Sequence, residues 1–182
     1  LAFCGDSMPV SGPCWNPTPP YYDCRYAVLR EPLGFPRGTE ILADDDQAIH
    51  AWVESEQQVV AVGRAHLIAA DSDGSQADHA GPGAAKCPAF GPLMGEGYRP
   101  AIQIRQMGTL SSHQRQGNAA KVLSDLEKSS NERFGATTGF LQARINAIPF
   151  YESQGWVIID EAYEIPGIGP HRSMMKQLSS NQ

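Results

Sequence analysis

One stretch of this 182-residue chain has residue types at a spacing that suits anion binding. It is the turn Gln114-Arg115-Gln116-Gly117-Asn118-Ala119. An alternating apolar and polar segment from Ile102 leads into it, and Ala119, Val122, Leu123 and Leu126 follow at helical spacing. A strand, a small-residue turn and a helix start leave free backbone N–H groups and the positive end of a helix dipole aimed at the turn. Gly117 and Ala119 leave room for a phosphate to approach the backbone. The turn lacks the Gly-Lys-Ser/Thr ending of a Walker loop and the three glycines of a dinucleotide fingerprint. Taken alone, the pattern also describes an ordinary turn before a helix. The other candidates are titratable: Tyr151, and the histidines His50 and His171, which open or occupy expected strands beside loops, where sites collect.

Composition excludes several classes. The chain is 41% apolar and 19% charged, ordinary for a globular protein with one core. Its net charge of −6 and pI near 5.3 argue against a general nucleic-acid or anionic-membrane surface. No apolar run is long enough to span a bilayer, and the first residues lack the pattern of a signal peptide, so the expected compartment is the cytoplasm. Cys4, Cys14, Cys24 and Cys87 form no C-x-x-C pair, so no metal site is expected and reduced, non-catalytic thiols are.

The elements that must position these residues follow from pattern. Residues 1–22 hold five prolines and read as an extended Pro-rich arm, with Trp15, Tyr21 and Tyr22 as anchors; a domain is expected over 23–179. Cys24 to Arg30 reads as a first strand, and Glu31 to Gly38 as a broken loop. Asp44-Asp45-Asp46 reads as a solvated acidic turn. Gln47–Glu54 and Gln57–Ile68 read as an antiparallel hairpin. Ala69 to Gly97 reads as a partly mobile insertion without periodicity. The central strand, turn and helix then run to a stop near Gly135, and Thr137–Ala143 is a strand. Asn146 reads as an N-cap, with Pro149 in the first turn of a helix that Gly155 ends. A strand that begins at Trp156–Ile159 and is prolonged by Glu161–Ile165, then a turn at Pro166–Pro170, lead into a last strand from His171 to Leu178. The sum is an α/β arrangement with a mixed sheet.

Gln114-x-x-Gly117-x-Ala119 resembles the Q/R-x-x-G-x-G/A signature of the GCN5-related N-acetyltransferase (GNAT) superfamily. Asn146…Phe150-Tyr151-Glu152…Gly155-Trp156 resembles that superfamily's second motif. The resemblance spans roughly Asp23 to Leu178. Asp44 to His50, and Gly167 to Met174 with one extra residue, are similar to stretches of a predicted small-molecule acyltransferase subgroup. Asn118 departs from the usual aliphatic residue, Arg115 from a frequent Gly, and Pro149 stands in the first turn of the second helix. The strand Ile102–Leu110 lacks the carboxylate base that many members carry.

The resemblance implies a single-domain GNAT-like fold, a mixed, mostly antiparallel central sheet flanked by helices. It implies transfer of an acetyl group from acetyl-coenzyme A to an amine of a small molecule, by direct attack in a ternary complex. Cofactor contacts would come from Thr109, Leu110, Gln114, Arg115, Gln116, Gly117, Asn118, Ala119 and Asn146. An oxyanion donor is expected near Gly108 or Thr109. Tyr151 is the expected acid for the leaving thiolate, since a phenol of pKa about 10 stays protonated at neutral pH. With no carboxylate on the central strand, His50 is the expected base, and an acceptor pocket is expected around His50 and His171 with Glu31 or Asp46 nearby. No nucleic acid or membrane partner is expected, and a homodimer is compatible with the reading. Two alternatives stay open: a catalytically idle acyl-coenzyme A sensing module, and an acyl-homoserine-lactone-type synthase.

Overall fold

The computed structural model describes residues 10–13 and 15–178. Residues 1–9 of the expected arm, which include Cys4, and Cys14 lie outside the described residues. Strand β1 (Val10–Ser11) and helix α1 (Pro19–Leu29) come first. The hairpin β2 (Ile49–Ser55) and β3 (Gln58–Leu67) follows, then a small hairpin of β4 (Gln76–Ala77) and β5 (Lys86–Cys87). The centre is β6 (Ala101–Thr109), α2 (Asn118–Phe134) and β7 (Thr138–Arg144). The chain ends with α3 (Ile148–Ser153), β8 (Val157–Ile158), β9 (Tyr163–Ile165) and β10 (Gly169–Gln177).

The main sheet has eight strands in the order β1-β2-β3-β6-β7-β10-β8, with β9 also paired to β10. Every pairing is antiparallel except β6 with β7. The parallel pair arises because α2 carries the chain from one strand to the next, as a crossover must. Val122, Leu123 and Leu126 of α2 are almost fully buried against Ile49, Ala51, Ala61, Ala65, Ile102 and Leu141. Each such side chain contributes roughly 1.5–3 kcal/mol relative to exposure. Gly135 ends α2 at φ 64°, and its N–H donates to the Asn131 carbonyl.

Three expectations change. Cys24–Leu29 is helical, part of α1, which runs across the expected boundary at Tyr22 and is capped by Arg30. Pro19 and Pro20 occupy its first turn, where a missing N–H costs nothing. Tyr21, Cys24 and Arg25 are buried at helical spacing, so the apparent alternation was the inner stripe of a helix. The acidic turn is not simply solvated: Asp45 is 3% exposed. The Ala69–Gly97 insertion is docked, because Phe90 and Leu93 bury themselves beside Ala101 and Phe140. Trp15, one of the expected anchors, stacks on Trp52 at 4.9 Å.

Candidate active site

The site forms where β6 and β7 part. They pair only from Ala101/Thr138 to Gln103/Phe140. Beyond that, β6 carries an extra residue against β3, so the register shifts between Val62 and Arg64, and Gln106 takes a left-handed φ of 56°. A bulge bends and twists its strand, and here it opens a gap towards β7. Backbone direction in that gap is fixed by one hydrogen bond: Leu110 N–H donates to the Val60 carbonyl at 2.8 Å. Strand groups alternate sides, so Gly108 faces β3, whereas Met107 and Thr109 turn their backbone groups to the gap. Gly108 is therefore not the free donor expected for an oxyanion. The Leu110 backbone is engaged as well, its N–H by Val60 and its carbonyl by the His113 N–H.

The gap continues into a groove of about 1030 Å3. Its walls are β6 (Met107 to Thr109), the turn into α2 (Gln114, Arg115, Gly117 to Ala120) and the α3 end (Asn146, Pro149, Tyr151). Of the nine expected cofactor residues, Leu110 and Gln116 do not line it. Gly117 is the N-cap of α2 at φ 83°, and a Cβ there would meet nothing within 4 Å. Glycine is thus required for backbone conformation, and the space beside it is open. The first-turn amides of α2 have no partner within the helix. Asn118 Nδ2 donates to the His113 carbonyl at 3.0 Å and so holds the turn in place of the usual aliphatic residue. Asn146 lies in the single turn Ile145–Ala147 rather than at the N-cap of α3, which is Ala147. Its exposed side chain thus lies on the groove rather than closing the helix.

A second cavity of about 150 Å3 adjoins the groove and shares Met107, Arg144, Ala147 and Tyr151 with it. Tyr151 and His171 both line this cavity. Tyr151 is 9% exposed, and burial pushes its phenol above the ordinary range, so it stays protonated. His171 is 5% exposed. Its Nδ1 donates to the Gly169 carbonyl at 2.8 Å, which leaves the lone pair on Nε2. Burial lowers its pKa below the usual 6.5, so the ring is neutral and able to accept a proton at pH 7.

His50 is elsewhere. Sheet order puts β2 four strand steps from β10, about 19 Å at about 4.8 Å per step. The expected pairing of His50 with His171 around one pocket is therefore corrected: His50 lines neither the cavity nor the groove. It is fully buried, and its Nε2 donates to the Asp45 carbonyl at 2.6 Å. Its Nδ1 lies 2.9 Å from the Tyr21 hydroxyl. Burial lowers its pKa to about 4. Both nitrogens are satisfied, which removes it as a base. Glu31 and Asp46 are exposed and line neither space.

Around His50 stands a network that anchors α1. Asp45 accepts from Arg25 Nη1 at 2.9 Å, Arg64 Nη1 at 2.7 Å, the Tyr22 hydroxyl at 2.8 Å and the Leu42 N–H at 2.9 Å. Burial alone would raise the Asp45 carboxyl, but Arg25, the Leu42 amide and Arg64 outweigh it and hold it low. Among the described residues no cluster of potential metal ligands occurs.

Four cavity residues escaped the sequence reading: Arg30, Arg105 and Arg144, and Asp78 of the insertion. The one available signal was alternation in β7, which puts Phe140, Gln142 and Arg144 on one face. Nothing local indicated that face would look into a cavity.

Residues 46–178 match the family model described as the acetyltransferase (GNAT) domain. No curated protein matches the sequence. Among solved structures, an acyl-CoA N-acyltransferase from Pseudomonas aeruginosa superposes with a TM-score of 0.59 at 16% identity, covering 92% of this chain and 96% of its own. The ribosomal-protein-S18-alanine N-acetyltransferase from Escherichia coli gives 0.61 at 16%, covering 95% of each. An aminoglycoside 6'-N-acetyltransferase complexed with coenzyme A gives 0.62 at 13%, covering 95% and 98%. At these identities the likeness is one of fold.

Proposed function

The chain belongs to the GNAT acetyltransferase family, and from that premise we propose that it moves an acetyl group from acetyl-coenzyme A to the amine of a small molecule, by direct attack within a ternary complex. The observation that carries this reading is the bulge at Gln106, which parts β6 from β7 and joins the groove to the small cavity.

The residues present fit coenzyme A. The α2 first-turn amides and the open backbone of Gly117 suit a pyrophosphate, while Thr109 and Asn146 border the route between turn and cavity. When bound, acetyl-coenzyme A supplies a thioester carbonyl open to nucleophilic attack. The Met107 and Thr109 backbone groups face the gap, and an N–H there is the candidate donor to the developing oxyanion. His171 Nε2 accepts the ammonium proton, directly or through one water, so that a neutral amine attacks. Tyr151 holds its proton by burial and delivers it to the departing thiolate. The roles follow from the protonation states: a buried neutral imidazole accepts and a buried phenol donates. His171 thereby takes the place first expected of His50.

Incubation with acetyl-coenzyme A and a panel of small amines, followed by mass spectrometry of acetylated products and free coenzyme A, tests the reading. Binding of acetyl-coenzyme A without transfer to any amine would favour a sensing module instead.

A further inference from the structure

The small cavity is unevenly charged. Arg30, Arg105 and Arg144 line it, with Asp78 as the single carboxylate. None of the three guanidinium groups pairs with a carboxylate among the described residues. Arg30 is 4% exposed and donates to the carbonyls of Thr39 and Leu29 and to Gln106 Oε1. Arg105 donates to Gln76 Oε1 and to the carbonyls of Ala77 and Asp78. Arg144 makes no side-chain hydrogen bond among the described residues. Asp78 instead faces His79, 3.2 Å from its Nδ1, and the thiol of Cys87. Desolvation and the neighbouring Arg64 charge lower Arg105 to about 10, against the opposing pull of Asp78 and Asp44. Arg30 is the buried member of the three, Arg105 and Arg144 being half-buried; a buried charge ordinarily has an ionic partner, so this wall suits an anion.

Coenzyme A phosphates do not answer that need at Arg30 and Arg105. Both line the small cavity and neither lines the groove past Gly117. Only Arg144 borders both.

We propose that the acceptor is an amino carboxylate, an α-amino acid with a short side chain or a close analogue, whose carboxylate is held by Arg144, Arg105 and Arg30 while its amine faces His171. This rests on the proposed acetyl transfer and names its substrate class. Guanidinium forks match carboxylate geometry and make charge-assisted hydrogen bonds. Asp78 balances part of the positive wall and attracts the ammonium end of the same zwitterion. Size agrees, because a cavity of about 150 Å3 takes a ligand the size of benzene. In the step, the amine nitrogen bonds to the acetyl carbon and the carbon–sulfur bond breaks. His171 takes the first ammonium proton, and Tyr151 protonates the thiolate; the second N–H proton, shed as the amide forms, returns to the Tyr151 phenolate directly or through water, and the His171 proton leaves to solvent. The products are an N-acetyl amino acid and coenzyme A.

Product binding tests the class without relying on turnover. With coenzyme A saturating, N-acetylalanine and its neutral carboxamide are titrated by calorimetry. The carboxylate should bind at least about tenfold more tightly, the weight of one charge-assisted hydrogen bond. Arg144→Gln should bring the ratio towards unity; Arg105→Gln should do the same, with a melting curve to show that it folds. Equal affinities in the parent protein, or an undiminished ratio in both variants, overturn the proposal. If Arg144→Gln weakens coenzyme A and leaves the ratio intact, Arg144 serves the cofactor and its place in the acceptor site falls. Turnover of alanine, alaninamide and ethylamine is compared in parallel. A carboxylate preference in binding without any turnover would sink the transfer reaction and leave the ligand class standing. Turnover that favours ethylamine would do the reverse.

Discussion

Tyr151 and His171 line one cavity of about 150 Å3, although one comes from the short helix α3 and the other from β10. Burial acts on them in useful directions, keeping the proton on the phenol and off the imidazole. A proton donor and a proton acceptor thereby share one cavity at neutral pH.

Tyr151→Phe keeps the ring and removes the transferable proton. Turnover should fall about 10²-fold or more, the usual weight of a general acid. Coenzyme A affinity, measured by calorimetry, should change little. Unaltered turnover would make Tyr151 a packing residue.

His171→Gln removes the base and should lower kcat/KM by about 10² to 10⁴. The parent enzyme should lose activity on the acid side only below the ordinary histidine value of about 6.5, because burial lowers the His171 pKa. A pH profile whose acid limb survives in His171→Gln would assign that limb to another group.

Gly117→Glu puts a side chain at φ 83° and a negative charge at the phosphate end of the groove. Strain at such a position costs on the order of 1–3 kcal/mol, and the charge repels the pyrophosphate. Coenzyme A binding should be lost while circular dichroism stays that of a folded protein. Unchanged affinity would move the pyrophosphate elsewhere.

His50→Gln separates the buried network histidine from His171, the proposed base. His50 has a folded pKa of about 4, below its unfolded value of 6.5. Its neutral form therefore stabilises the fold fully above 6.5, and that contribution is lost as pH falls through about 4. The unfolding free energy should drop with acidification across this window, by up to about 3 kcal/mol from this residue. In His50→Gln the dependence should flatten, as read from urea midpoints at several pH values. An unchanged slope would exclude His50 as its source.

Asp45→Asn leaves Arg25 and Arg64 buried without their shared carboxylate. Breaking a buried pair costs about 3–5 kcal/mol, so the urea midpoint should fall sharply. A shift within the range of a surface substitution would show that water or Asp44 compensates.

Local pattern carried much of the fold. The β2–β3 hairpin, the strand, turn and helix around Gly117, the stop at Gly135 and the last strand are written in nearest-neighbour spacing, because strand and helix periodicities and glycine geometry act over a few residues. The glycine turn that opens α2 was legible for the same reason. By contrast, α1 was misread because seven alternating residues fit either period, and only packing on β3 chose between them.

What the tertiary structure alone decided is which polar residues meet. His50 and His171 look alike in sequence, yet sheet order buries one beside Arg25 and Asp45 and brings the other to Tyr151. The bulge at Gln106 depends on register against β3, not on a residue type that announces a left-handed φ. Arg30, Arg105 and Arg144 come from three distant segments, and their shared cavity exists only once β6 and β7 have parted. Charge and proton affinity depend on burial and on neighbours in space, which a linear order of residues does not contain.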